Sequence, residues 1–243
     1  MRIMGYYYRI MIAGKELHYL FHYLETSRYF QNSIEEAPKD NAICVKENDF
    51  NLWEEKWKYN ACAPTEMAIL PFRTSDYLLK DHRCVYHAVA FLYKNKAYLI
   101  TAQSGTGKST QLRNWMKLYG NETKIINGDK PVIRKTDENT ILVHPSPWKG
   151  KEGWGDDSLP PTPLGGVIFL AQAKENKIER MSNLQAAIPL LSRFLFTVES
   201  EENIRQACAI ESCMLESVPV FHLHNIGDLA STQMIHDALT EVE

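Results

Sequence analysis

A chain of 243 residues, 44% hydrophobic and 23% charged, has the length and balance of a protein that buries a sizeable core. A formal net charge of −3 gives no general attraction to nucleic acid, and no apolar run approaches the roughly 20 residues of a membrane span. The N-terminus does not read as an export signal, and five scattered cysteines without Cys-x-x-Cys spacing read as reduced thiols, so a cytoplasmic protein with no nucleic-acid or membrane partner is expected.

Taken in order, residues 5–12 read as a strand rich in Tyr and Ile that stops at Ala13-Gly14-Lys15. Residues 16–32 carry Tyr19, Phe21, Tyr23, Tyr29 and Phe30 with weak periodicity and read as core or interface packing. Residues 33–41 read as loop, 42–45 as a short strand, 49–60 as a helix with Asp49 near its cap, and 65–80 as a helix interrupted by Pro71. Residues 1–80 are therefore expected to form a small N-terminal α/β region, and residues 81–243 the main domain.

From Val85 the pattern sharpens. Residues 85–93 and 97–101 are apolar runs joined by Lys94-Asn95-Lys96, a hairpin that feeds straight into Ala102-Gln103-Ser104-Gly105-Thr106-Gly107-Lys108-Ser109-Thr110. A helix is predicted behind it, over residues 111–119, which completes the strand, loop and helix context of a phosphate-binding loop. Gly105 and Gly107 permit backbone angles that turn successive N–H groups inward, and a helix start favours anions. Lys108 is placed to reach the outer phosphates and the Ser109 hydroxyl to ligate Mg²⁺.

Residues 123–126 read as a buried strand ending in Asn127-Gly128-Asp129-Lys130, and Asp129 at that strand end is where a Mg²⁺ ligand is expected. A hairpin over 132–134 and 140–143 follows, then a Pro-, Gly- and Trp-rich stretch, 145–163, read as an active-site loop whose Lys149 and Lys151 can meet phosphate and whose Glu152, Asp156 and Asp157 can meet metal or substrate. The rest reads as a buried strand over 167–170, a helix over 182–196 strained by Pro189, a helix over 200–215, a strand over 218–223 with structural histidines at 222 and 224, and a terminal helix capped by Asp228.

His87, fifteen residues before Ala102, together with the loop and the Asn127-Gly128-Asp129 turn, resembles the HPr kinase/phosphorylase family, and more closely its shorter bacterial relatives. The Ser-Pro-Trp-x-Gly-Lys segment at 146–151 fits the same pattern, and the resemblance spans residues 85–225. It implies a mixed β-sheet P-loop kinase core of the type shared with phosphoenolpyruvate carboxykinases. It further implies ATP and Mg²⁺ held by Ser104, Gly105, Thr106, Gly107, Lys108, Ser109 and Thr110, metal contact from Ser109 and Asp129, and catalytic roles for His87, Lys108 and Asp129. By the same resemblance the reaction is transfer of the γ-phosphoryl group to a hydroxyl, expected to be serine, of a protein or peptide, by an enzyme able to form homo-oligomers. One position departs: the first of the family's paired aspartates, the expected general base, is Gly128 here. Either Asp129 does both jobs, or Glu152, Asp156 or Asp157 of the long loop substitutes, or the chain binds nucleotide without kinase activity, since loss of a base slows a reaction about 10²–10⁴-fold without abolishing binding. A non-catalytic nucleotide-binding module is thus an alternative, as is a kinase of a small hydroxylated metabolite.

Overall fold

The computed structural model describes residues 5–30, 33–58, 60–103 and 105–241. The chain begins with a three-stranded sheet of order β2-β1-β3, in which β1 (Tyr6–Ile12) pairs antiparallel with both β2 (Lys15–Phe21) and β3 (Ile34–Glu35). Ala13 and Gly14 make the β1 to β2 turn, both at positive φ (49° and 75°), the geometry that a two-residue turn needs to match strand twist. The second strand of this hairpin was not expected: Leu17, Tyr19 and Phe21 alternate inward with His18 and Leu20, a period of two inside a segment that also carries scattered aromatics. Conversely, the short strand expected over 42–45 reduces to one bridge, between Ile43 and Tyr19.

The helices α1 (Leu24–Ser27), α2 (Glu47–Trp57) and α3 (Ala63–Leu78) complete this region. Asp49 is the third residue of α2 and accepts from the Lys46 N–H at 2.8 Å, so the helix starts two residues earlier than expected. Pro71 lies inside α3 without ending it. Glu66 of α3, fully buried, accepts from His22 N–H at 2.8 Å and His22 Nδ1 at 2.9 Å, and from the Thr26 hydroxyl, which ties the end of β2 to α3.

The larger sheet has nine strands among the described residues: β4 (Arg83–Val85), β5 (Val89–Tyr93), β6 (Lys96–Thr101), β7 (Thr123–Asn127), β8 (Val132–Lys135), β9 (Ile141–His144), β10 (Thr162–Gln172), β11 (Lys177–Arg180) and β12 (Val220–Asn225). β10 is its hub, parallel to β6 and β12 and antiparallel to β9 at its first residues. Beyond β6 lie β5 and then β7, each antiparallel to its neighbour. β11 on β12 is a strand the sequence reading did not contain. The sheet is therefore mixed, and helices cover both faces. α5 (Asn183–Leu191) and α6 (Glu201–Ser217) pack with Ala97 and Leu99 of β6; α4 (Lys108–Tyr119) and α7 (Leu229–Thr240) pack with Tyr98 and Ile100. Alternate residues of β6 thus go to opposite cores, as a strand buried on both faces requires. α7 is capped by Asp228, whose carboxylate accepts the Ser231 N–H at 2.9 Å. No helix among the described residues is long and apolar enough to cross a membrane, and all five cysteines are free.

The helix expected over 182–196 ends at Leu191. The chain then turns back on the sheet: Leu195 N–H donates to Val85 O at 2.9 Å, and Arg193 O accepts from His87 N–H at 2.9 Å.

Candidate active site

Strand directions assemble the site. β5 runs opposite to β6 and β7 opposite to β5, so β6 and β7 end at the same edge, where β5 begins. That edge receives three sequence-distant pieces: the glycine-rich loop after β6, the 127–130 turn after β7, and His87 just before β5. They line one cleft of about 550 Å³ with Gly105, Gly107, Lys108, Ser109, Thr110, Arg113, Gly128, Asp129, Lys130 and, from the long loop, Gly150, Lys151 and Glu152. The described residues expected at the site are thus brought together, with Thr106 on the loop between them; Ser104 lies outside the described residues.

Gly105 and Gly107 sit at φ of 81° and 112°, and a Cβ at either would meet nothing within 4 Å. Backbone conformation, not crowding, is what calls for glycine there. Gly107 is the N-cap of α4 and provides no side-chain cap, and Gln111 N–H donates to Gly107 O at 3.0 Å. The N–H groups of the first helical turn are left for an anion. Lys108 Nζ donates to Ala102 O at 3.3 Å; burial lowers its pKa, opposed by the Asp129 charge.

Asp129 is positioned through its turn. The Asn127 side-chain oxygen accepts the N–H groups of Asp129 (2.9 Å) and Lys130 (2.7 Å), while Asn127 Nδ2 donates to Ser146 O at 3.0 Å. The Asp129 carboxylate contacts His87 Nε2 at 3.5 Å and is paired with Lys130. Burial alone would raise its pKa, but His87 and Lys130 hold it down at about 2, so it is ionised at neutral pH.

Three features were not evident from sequence. Arg193, on the turn after α5, donates through Nη1 to Ala102 O at 3.2 Å, the same carbonyl that Lys108 contacts, and brings a second cation to the loop. Of the three acidic residues expected in the 145–163 loop, Glu152 lines the cleft, paired with Arg113 at 3.0 Å; Asp156 accepts from Ser158 within its own turn, and Asp157 pairs with Lys149 at 2.8 Å outside the cleft. An apolar cleft of about 420 Å³ adjoins the loop, with Gln103 and Thr106 on one side and Phe169, Met181, Pro189 and Arg193 on the other.

No family model matches the chain, and no curated protein does. Among solved structures the chain is similar to the HPr(Ser) kinase/phosphatase from Coxiella burnetii, with 9% sequence identity and a TM-score of 0.40; the match covers 65% of this chain and 97% of that one.

Proposed function

We propose that the chain is an ATP-dependent kinase that transfers the γ-phosphoryl group to a serine hydroxyl of a protein or peptide. The observation that carries this reading is the convergence of the glycine-rich loop, Lys108, Asp129 and His87 on one cleft. Phosphoryl transfer asks mainly for positioning and neutralised charge. The free N–H groups of the first turn of α4, with Lys108 and Arg193, hold the phosphates in place. The donor set for Mg²⁺ is the ionised Asp129 carboxylate and the Ser109 hydroxyl, two hard oxygen donors in one cleft, which suits an ion that takes its other ligands from phosphate and water. When bound there, Mg²⁺ would neutralise charge on the transferred group.

The proton of the acceptor hydroxyl needs a destination. Asp129 is ionised with a low pKa and is a weak base. His87, held at Nε2 by that carboxylate, takes the proton at its other ring nitrogen while the acceptor oxygen bonds to phosphorus and the bond from phosphorus to ADP breaks. A peptide acceptor, rather than a small metabolite, is favoured by the apolar cleft beside the loop: Pro189 of α5 lines it, and Leu184 and Ile188 of that helix are 90% and 80% exposed.

Incubation with Mg²⁺, ATP and a serine-containing peptide library, read by mass spectrometry, tests the reading. Lys108→Ala is expected to abolish transfer. His87→Asn is expected to lower turnover about 10²–10⁴-fold while nucleotide affinity stays close to wild type. Tight nucleotide binding with no transfer to any acceptor would instead identify a regulatory module.

A further inference from the structure

The 145–163 loop has a second cleft against it, away from the glycine-rich loop. This cleft of about 530 Å³ lies where the hairpin of β1 and β2 meets β4, β8 and β9, and its charged and imidazole side chains are Arg83, Arg134, His144, Lys149 and Asp157. Arg83 and Arg134 stand directly opposite each other in the antiparallel pairing of β4 and β8. Like charges in that register destabilise a strand pair unless something offsets them. The two nearby carboxylates do so only in part: Asp81, whose charge reaches Arg83, is paired with Lys15 at 3.0 Å, and Asp157 with Lys149 at 2.8 Å.

Arg83 is 7% exposed and donates only to backbone oxygens, Ala13 O at 3.2 Å and Asp81 O at 2.8 Å. A guanidinium buried this far is costly without a counter-charge. His144 of β9, 4% exposed, has Nε2 buried with no hydrogen-bond partner. Burial and the two arginines push its pKa down to about 4, so the imidazole is neutral at pH 7 and retains one N–H to donate. Three cations against one carboxylate leave two positive charges unbalanced in a chain whose net charge is −3.

We propose that this cleft is a binding site for a phosphoryl dianion held between Arg83 and Arg134, with His144 as a further contact. Two unbalanced charges match a dianion, and the planar guanidinium forks suit phosphate oxygens. A single carboxylate would leave one charge uncompensated. Ile10, Leu159 and Pro161 give the cleft an apolar wall, against which the organic part of a phosphate ester fits. The site goes beyond the kinase reading and shares no residue with the glycine-rich loop.

The test is calorimetric titration of inorganic phosphate and, separately, phenyl phosphate into the full chain carrying Lys108→Ala, which weakens phosphate binding at the loop. One saturable site is expected, weakened about tenfold by adding Arg134→Gln and unaffected by adding Arg113→Gln, which removes a cation of the other cleft. Binding of inorganic phosphate identifies the free anion as sufficient, and binding of phenyl phosphate alone identifies an ester. Absence of saturable binding, or binding indifferent to Arg134, would overturn the proposal. A second readout needs no ligand: in phosphate-free buffer Arg134→Gln is expected to melt at or above the parent temperature, because it relieves the repulsion with Arg83. A lower melting temperature would show that Arg134 serves the fold and would also overturn it.

Discussion

Gly128 is enclosed where a side chain would begin. A Cβ built on it falls 2.7 Å from Lys149 O and 3.0 Å from Trp154 O, and its N–H donates to Trp154 O at 2.8 Å. The long loop therefore occupies the space that a carboxylate at this position would need, and the glycine is part of the loop's docking. Gly128→Asp is expected to cost about 1–3 kcal/mol in denaturant unfolding and to bring no gain in phosphoryl transfer, because the backbone must shift before the new carboxylate fits. His144 carries the pH dependence at this scale. Its folded pKa is about 4 against an ordinary 6.5, with Arg83 and Arg134 the charges that face it. Between these values the unfolded chain binds a proton that the folded chain refuses, so stability is full above pH 6.5 and falls as the pH drops towards 4. The whole shift is worth at most about 3 kcal/mol. In phosphate-free buffer, unfolding free energies at pH 7 and pH 4.5 should differ less in His144→Gln than in the parent. Residue placement was legible where it is local, as in the run from Gly105 to Thr110, which lies between β6 and α4 as its spacing predicts. Arg193 was not, because a turn pinned to His87 brings it to the loop, whereas Phe194 and Phe196 prolong an apparently helical apolar pattern.

At the scale of elements, the hairpin of β5 and β6 was legible because two apolar runs flank a polar link. The turn itself is Lys94 and Asn95, at φ of 46° and 64°, with Tyr93 paired to Lys96. Asparagine tolerates this left-handed region; lysine does so at a cost. Lys94→Asn is thus expected to raise stability by about 0.5 kcal/mol, seen as a higher melting temperature with unchanged nucleotide affinity. β2 and β11 were harder to read. Burial in β2 alternates regularly, but the outward Leu20 is apolar and hides that alternation in the sequence, and β11, Lys177–Arg180, holds one apolar residue and owes its pairing to β12. The pairing of β10 with three different strands is likewise invisible in its own residues, since only tertiary partners decide it.

At the scale of the molecule, the N-terminal sheet supports the long loop. Trp148 of that loop, 4% exposed, meets Phe30 edge-on at 5.7 Å, and Phe30 in turn stacks on Phe21 at 5.1 Å. Val85, Val132 and Trp148 belong to the same apolar cluster as Tyr19, Phe21 and Leu70. Phe30→Ala removes the ring between the two and is expected to lower stability by about 3–5 kcal/mol, with faster amide hydrogen exchange across residues 146–154 as the local signature. This link joins aromatics from residues 16–32, read from sequence only as packing, to the wall of the candidate active site.

In the proposed function the cleft at the end of β6 holds Mg²⁺ and ATP through Lys108 and Asp129. The most direct test is calorimetric titration of a non-hydrolysable ATP analogue into the full chain, with and without Mg²⁺. One site is expected, strengthened by Mg²⁺ in the parent, weakened at least about tenfold by Lys108→Ala, and insensitive to Mg²⁺ in Asp129→Asn. Binding of equal strength in the parent and Lys108→Ala, or no binding in either, would contradict it.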